Sequence, residues 1–290
     1  MNYIKKIAIV TGANSGIGKE VAKQMTQRNV HVILACRDKE KGRKAERDIG
    51  KNSKFFYCDL SSFDSIKKFS EKIKLEYDHI DYLYNNAGVF LPPYNTTKEG
   101  YELTYGINYL SYFYLTLSLI ELMKNIKGSR IINISSIASF EVKELNLEHY
   151  KKYQKFSKKF NKMKVYQDSN IMRSMFTHEL DNRLKQKGYD TIAVSGHPGI
   201  VLTNIQRHSI LMKIIIILFN LHHNIKKGAA PLVKACLDST IKRKDFVGLD
   251  TLKQYKGKPM VLTHSNKLVF NNELRKKLWD HSVNQTQKDL

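Results

Sequence analysis

Much of what this 290-residue chain could be is excluded by what it lacks. Its cysteines number only 3, namely Cys36, Cys58 and Cys236. They are odd in number, far apart and set in apolar, strand-like surroundings, so they read as buried thiols and point to a reducing, cytoplasmic compartment. The 5 prolines and 15 glycines are scattered, and no linker, internal repeat or low-complexity run divides the chain. Residues 1–290 therefore read as a single unit. Acidic residues are scarce, 27 against 49 basic, for a formal charge of +22. The lysines spread through every expected surface helix without a zinc-finger or helix-turn-helix module, so no nucleic-acid partner is expected, while phosphorylated ligands would be attracted.

Other absences follow. No HExxH spacing or Cys-Cys-His grouping is present, so no metal is expected, and no GxSxG elbow announces a serine hydrolase. His222 and His223 read as surface residues. The most apolar stretch, Ile210 to Phe219, is too short to span a bilayer and carries Lys213; it reads as a helix covering a pocket. The opening MNYIKKIAIVTG runs into the first strand without the basic, apolar and small-residue zones of a leader, so neither a signal peptide nor a transmembrane segment is expected.

What is present is most informative at Ile7 to Glu20, IAIVTGANSGIGKE, where an apolar strand enters a glycine-punctuated turn and then an amphipathic helix. Glycines at 12, 16 and 18 let the main chain approach a ligand where a Cβ would clash, and the amides opening the helix point at an anion. A dinucleotide pyrophosphate is the expected guest. A Walker loop is excluded, because its first glycine and its Ser or Thr are replaced by Ala13 and Glu20.

Strand and helix patterns alternate along the chain, which implies an α/β fold with a single doubly wound parallel sheet of Rossmann type and helices on both faces. The strands read as Ile7 to Val10, Val30 to Cys36, Phe55 to Cys58, Tyr82 to Tyr84, Arg130 to Ile134 and Ile192 to Ser195, with a late strand at Met260 to Leu262. Helical patterns include Lys19 to Arg28, Ser65 to Glu76, Tyr105 to Lys124 and the C-terminal LRKKLWDHS. In such a sheet, ligands sit beyond the carboxyl ends of the strands. That rule gathers Thr11 to Gly18, Arg37, Asp59, Asn85 to Gly88, Ser135 with Ser136, and Pro198 to Thr203 around one crevice.

These segments resemble the short-chain dehydrogenase/reductase family, in its retinol-dehydrogenase and WW-domain-oxidoreductase-like branch. The matches are TGANSGIG at 11–18, ACRDKEKG at 35–42, CDLSS at 58–62, NNAG at 85–88, GINYLSYFYLT around Asn108, RIINISS at 130–136, HPGIVLT at 197–203 and KKLWD at 276–280. The resemblance implies a cofactor-binding part at about 1–135 and a catalytic, substrate-covering part at about 136–290. Gly12, Asn14, Ser15, Gly16, Ile17 and Gly18 would hold the pyrophosphate, and Pro198, Gly199 and Thr203 would close on the coenzyme. Asp59 would accept from the adenine amino group beside the Leu60 backbone, or else cap the next helix. Asn86, Ala87 and Gly88 would pass beneath the ribose, or form an ordinary turn.

At the end of the second strand, NAD enzymes place an acid, whereas a 2′-phosphate is repelled by carboxylate and welcomed by guanidinium. Here Cys36 is followed by Arg37, so NADP(H) is preferred and NAD(H) remains open, with Lys19 and Arg43 as helpers. The alternative is an ion pair of Arg37 with Asp38 or Glu40.

In the family a tyrosine exchanges a proton with the substrate oxygen, a serine orients that oxygen and an asparagine supports a water relay. A lysine four residues after the tyrosine lowers its pKa. Tyr166, Ser136 and Asn108 fill the first three roles, but the lysine position is Asn170, which can bond a ribose hydroxyl but carries no charge; Arg173 or Lys162, near the same helical face by spacing, would then supply charge at longer range. The only Tyr-x-x-x-Lys spacing, Tyr94 with Lys98, falls after NNAG, and Tyr150 and Tyr153 lack both the lysine and the surrounding pattern. A hydride-transferring oxidoreductase on an alcohol/carbonyl pair, weakened or alkaline-shifted, is the leading expectation. The alternative is a dinucleotide-binding regulatory protein with little turnover. EVKELNLEHYKKYQKFSKKFNK, between Ser136 and Tyr166, reads as a solvated insertion or as a basic, aromatic rim that screens substrates. The family resemblance also implies a small-molecule substrate, lipophilic if Ile210 to Phe219 covers it, and a homodimer.

Overall fold

A computed structural model of the chain describes residues 5–151, 161–203 and 209–290, and the side chains of 210–213 lie outside that description. Tyr153 and most of the basic run of the insertion therefore fall outside the described residues.

The first half runs β1 (Ile7–Thr11), α1 (Gly16–Thr26), β2 (His31–Cys36), α2 (Lys39–Ile49), β3 (Ser53–Tyr57), α3 (Phe63–Glu76) and β4 (Tyr82–Asn85). A short α4 (Leu103–Tyr105), a π-helical turn (Gly106–Leu110) and α5 (Ser111–Leu119) lead to β5 (Arg130–Ile134). Then follow α6 (Lys162–Gln186), β6 (Ile192–Gly196), α7 (Ile210–Leu218), α8 (Ile225–Leu237), β7 (Phe246–Leu249), β8 (Pro259–Leu262) and α9 (Asn272–Thr286).

The eight strands form one sheet in the order β3-β2-β1-β4-β5-β6-β7-β8. All pairs are parallel except β7 with β8, so the expected doubly wound sheet is present with an antiparallel edge. Every residue of β1 and β5 is buried, because helices cover both sheet faces and a strand between them needs apolar side chains in both directions. One apolar layer packs Ile66 and Phe69 of α3, Phe113 of α5, Phe176 of α6 and Trp279 of α9 against the sheet. The other packs Val21 and Met25 of α1, Ala45 of α2 and Leu232 of α8. Strand order reverses between β1 and β4, where the polar ends of the central strands face one crevice.

Four expectations change. The stretch from Tyr105 to Lys124 is not one helix: α4 passes through the π-helical turn into α5 and ends in a 3-10 turn at Ile120–Met123. β7 was not expected; at four residues and with Gly248 inside, it is too short to carry a periodic signal. His223 is buried, with its ring bonded to the Pro198 carbonyl at 2.6 Å. Within the insertion Tyr150 is also buried, its hydroxyl 2.6 Å from Asp168 and its ring tilted against Tyr105, because α6 presents a carboxylate that needs a donor.

Candidate active site

The turn after β1 is shaped by contacts that leave no room for side chains. Gly12 and Gly16 have φ of +67° and +54°, in the region glycine adopts without strain. A Cβ on Gly18 would stand 2.6 Å from the Gly12 carbonyl and collide with the Asn86 amide. A Cβ on Gly16 would meet Thr203 at 3.3 Å, so the loop after β6 closes against the turn after β1. The turn is thus a cradle of bare backbone at the start of α1, and the residues present fit a pyrophosphate. Ser15 precedes α1 without using its side chain as a cap.

Thr11 ties this cradle to the loop after β4. Its hydroxyl oxygen accepts from the Asn86 and Ala87 amides at 2.9 and 3.0 Å, while Asn86 Nδ2 donates to the Thr11 carbonyl at 2.7 Å. The register of the NNAG segment is thus fixed against the glycine turn after β1. Below it, Asn85 donates to Thr116 and to Asn133, and Asn133 donates to Thr177, a buried polar chain joining β4, β5 and α6.

Around the second and third strand ends the competing readings separate. Asp38 caps α2, accepting from the Lys41 amide at 2.9 Å, and pairs with the Lys41 ammonium at 3.2 Å. Those contacts, the amide first, hold its carboxyl below the usual carboxylate range. Arg37 is exposed and faces the crevice, and no ion pair among the described residues includes it. Lys19, expected to help with the coenzyme phosphate, is instead paired with Asp48 of α2 at 2.5 Å. Arg43 lines a separate basic depression on α2 with Lys41, Lys44 and Arg47. Asp59 does not cap α3; Ser62 does, and Asp59 Oδ1 accepts from the Ser61 amide and hydroxyl at 3.0 and 2.7 Å. Asp59 and Leu60 both line the crevice, which Cys36 and Cys58 also reach. Burial pushes the Cys36 thiol up to about 12 and raises that of Cys58 as well, so neither is a ready nucleophile.

The crevice is one end of a single cavity of about 990 Å³ that also takes in Asn108, Ser136, Tyr166, Pro198 and Gly199. Its outer wall is apolar, with Phe90, Phe140, Met163, Ile215, Ile216 and Leu221. α7 thus lies where the apolar run was expected to cover a pocket. Tyr166 packs edge-on against Phe90, ring centroids 4.7 Å apart at 85°. Ser136 opens a 3-10 turn, its Oγ accepting from the Ala138 amide at 3.2 Å. Asn108 is fully buried in the π-helical turn, a distortion that recurs at functional sites. Asn170, also fully buried, donates from Nδ2 to the Tyr166 carbonyl at 2.8 Å and accepts at Oδ1 from Arg173 at 2.9 Å.

After β6, Gly199 has φ +71° and a Cβ there would strike the Tyr255 carbonyl. His197 accepts the Gly199 amide at Nδ1, 3.1 Å away, and so donates from Nε2 to Gln254 at 2.7 Å. Burial lowers its pKa to about 4, which keeps the ring neutral in this role. Sequence reasoning missed the bond between His197 and Gln254, because the two lie 57 residues apart along the chain. Tyr94, in the discarded Tyr-x-x-x-Lys pair, is 49% exposed and is not among the residues lining the cavity.

A sheet wound in this order, with a glycine cradle at the β1/β4 reversal and a deep cavity beyond the strand ends, defines the Rossmann-type class of dinucleotide-binding proteins. The short chain dehydrogenase family profile matches residues 6–151. Retinol dehydrogenase 11 of Mus musculus is 41% identical over 213 residues, which cover 72% of this chain and 65% of that protein. Retinol dehydrogenase 12 of Mus musculus is 37% identical over 220 residues, covering 74% and 67%. The match thus spans about two thirds of the relatives' own length. The crystal structure of an uncharacterised protein from Mycobacterium paratuberculosis superposes with a TM-score of 0.81 at 27% identity, covering 99% of this chain and 94% of that one. The chain belongs to the short-chain dehydrogenase/reductase family, whose members use NAD(P)(H). No helix among the described residues is long and apolar enough to cross a membrane, and no group of metal-ligating side chains stands among them.

Proposed function

We propose that this protein is an NADP(H)-dependent oxidoreductase acting on an alcohol/carbonyl pair of lipophilic character. The observation that carries the reading is the continuity of one cavity from the bare-backbone cradle at Gly12 to Gly18, past Arg37, to Tyr166 and Ser136. When bound, the nicotinamide supplies or accepts the hydride. The chain's own residues do the rest. Gly12, Asn14, Ser15, Gly16, Ile17 and Gly18 receive the pyrophosphate, Arg37 the 2′-phosphate, Asp59 and Leu60 the adenine, and Asn86 to Gly88 the ribose. Pro198, Gly199 and Thr203 close over the coenzyme. Ser136 orients the substrate oxygen and the Tyr166 hydroxyl exchanges a proton with it. Apolar side chains of α7 and Phe140 exclude water and select an apolar substrate.

Arg37 favours NADP(H) because its charge is not consumed by Asp38, which is occupied with Lys41. The alternative, a coenzyme-binding protein with little turnover, is favoured by the neutral Asn170. Purified protein separates the two when NADPH or NADH consumption is followed with a panel of lipophilic aldehydes and ketones, beside Tyr166→Phe. NADPH-dependent turnover that Tyr166→Phe abolishes supports the enzyme. Tight NADPH binding without turnover supports the alternative, and no affinity for either coenzyme sinks both.

A further inference from the structure

Position 170 carries no charge, yet the cavity has a cation beneath it. Arg173, one helical turn beyond Asn170 on α6, is 4% exposed and lines the cavity. Its Nε donates to the Asn108 carbonyl. Nη1 donates to the Ile134 carbonyl and to Asn170 Oδ1, both at 2.9 Å, and Nη2 to the Ala87 carbonyl at 3.3 Å. The guanidinium also lies 4.5 Å from the centre of the Tyr112 ring.

Each of these partners is neutral. No ion pair among the described residues includes Arg173. By contrast, buried Arg275 has Glu179 at 3.9 Å, and buried Asp181 has Arg243 at 3.0 Å. A guanidinium taken out of water without a carboxylate is costly, and carbonyl dipoles offset only part of that cost. Its charge is left to act on what lies above it.

Gly88 keeps that charge within reach. A Cβ at 88 would stand 3.1 Å from Arg173 Nη2 and 3.2 Å from Asn108 Oδ1, so the bare glycine is all that separates the guanidinium from the cavity at this point. Asn170 joins the cation to the main-chain carbonyl of Tyr166, not to its hydroxyl, and its orientation is fixed: reversing the amide would set its N–H groups against those of Arg173.

We propose that Arg173 supplies the positive charge of this site, moved one turn along α6 from the position where the family carries its lysine; Asn170 holds the guanidinium in place, and the charge acts on Tyr166 across the cavity that both residues line. The proposal rests on the oxidoreductase reading above. Arg173 is a positioning residue: it gathers carbonyls from the loop after β4, the π-helical turn and β5, and it balances negative charge that develops on the Tyr166 oxygen. Of the titratable groups, Tyr112 faces it directly and Tyr166 lines the same cavity. The other charged side chains of the cavity, Arg37, Asp38, Lys41 and Asp59, belong to the β2 and β3 ends, and Glu141 and Lys253 to the segments after β5 and β7.

The test compares wild type with Arg173→Gln, Asn170→Lys and the double variant Asn170→Lys/Arg173→Gln. Three quantities are read: NADPH affinity by fluorescence, the pH profile of kcat, and the ultraviolet titration of Tyr166 taken as the difference from Tyr166→Phe. Arg173→Gln is expected to lower kcat by about tenfold or more and to move the kcat profile and the tyrosine titration to higher pH. Asn170→Lys alone sets an ammonium beside the guanidinium and is expected to be less stable than wild type, whereas the double variant returns both pH responses toward wild type. Folded Arg173→Gln protein with both pH responses unmoved overturns the proposal. Should Arg173→Gln not fold, the double variant decides: titration at or below the wild-type pH supports the proposal, and titration above it overturns it. If wild type turns nothing over but its tyrosine titration still responds to Arg173, the oxidoreductase reading falls and the assignment of the charge stands.

Discussion

Asn108 and Val89 exchange two hydrogen bonds, from the Val89 amide to Oδ1 at 2.8 Å and from Nδ2 to the Val89 carbonyl at 3.0 Å. The side chain thus imitates a neighbouring strand for the loop that follows β4, and a further bond from Nδ2 to Ser169 at 3.3 Å ties that loop to α6. Asn108→Asp replaces the donor by an acceptor facing the Val89 carbonyl, while its charge falls beside the Arg173 guanidinium. Asn108→Ala leaves the Val89 amide and carbonyl without these partners, and a loss of about 1–3 kcal/mol of stability is expected by denaturant titration; Asn108→Asp should be destabilising too, but less so at pH above the carboxylate range than below it.

Gly18→Ala puts a methyl group against the Gly12 carbonyl and the Asn86 amide, the latter already bonded to Thr11 at 2.7 Å. Overpacking of this kind costs about 1–3 kcal/mol. Coenzyme affinity should fall more than the melting temperature suggests, because the displaced backbone is the cradle itself; calorimetric titration beside thermal melting checks this.

Arg37→Ala should weaken NADPH by about 10- to 100-fold, the worth of one charge-assisted contact, and leave NADH nearly unchanged. Equal losses for both coenzymes would remove Arg37 from the 2′-phosphate.

His178, His197 and His264 are all buried, and His197 and His264 both pack against Phe140 and Phe246. Burial, first among the causes, lowers their pKa values from 6.5 to about 4, about 4 and about 3. A histidine pKa lowered by folding means that the unfolded chain binds the proton more readily. Stability is therefore full above pH about 6.5 and is lost as pH falls toward about 4. By pH 5 each such ring costs about 2 kcal/mol. Thermal melts between pH 7 and 5 should show a steep fall, and His197→Gln should flatten it, since glutamine needs no proton to remain neutral.

The glycine turn after β1 was legible because Gly12, Gly16 and Gly18 lie close together in sequence and answer to one local demand. Tyr166 and Ser136, picked out by the residues around them, do line one cavity. Helical spacing pointed to Arg173 or Lys162 as a longer-range cation, but only the folded chain brings the Ala87, Asn108 and Ile134 carbonyls onto Arg173. Asn170 reads as the loss of a charge until its side chain is seen joining the Tyr166 main-chain carbonyl to Arg173. β7 and the burial of His223 escaped notice for a related reason: each is defined by a partner far away in the chain, the strand pairing of Phe246 with Ser195 and the bond from His223 to Pro198.

The widened turn at Gly106–Leu110 holds one residue more per revolution than its neighbours α4 and α5. Deleting a single amino acid there would let the three pieces fuse into an unbroken rod. The flanking helices would keep nearly their present orientation, because the extra residue is taken up within that one turn, but the positions inside the turn would be redistributed around the axis. Asn108 would swing away from Val89, and the tether would be lost without any change to the groups it serves. Length at this point is therefore under the same constraint as identity, and insertions or deletions should be tolerated in the loops on either side but not within these five positions.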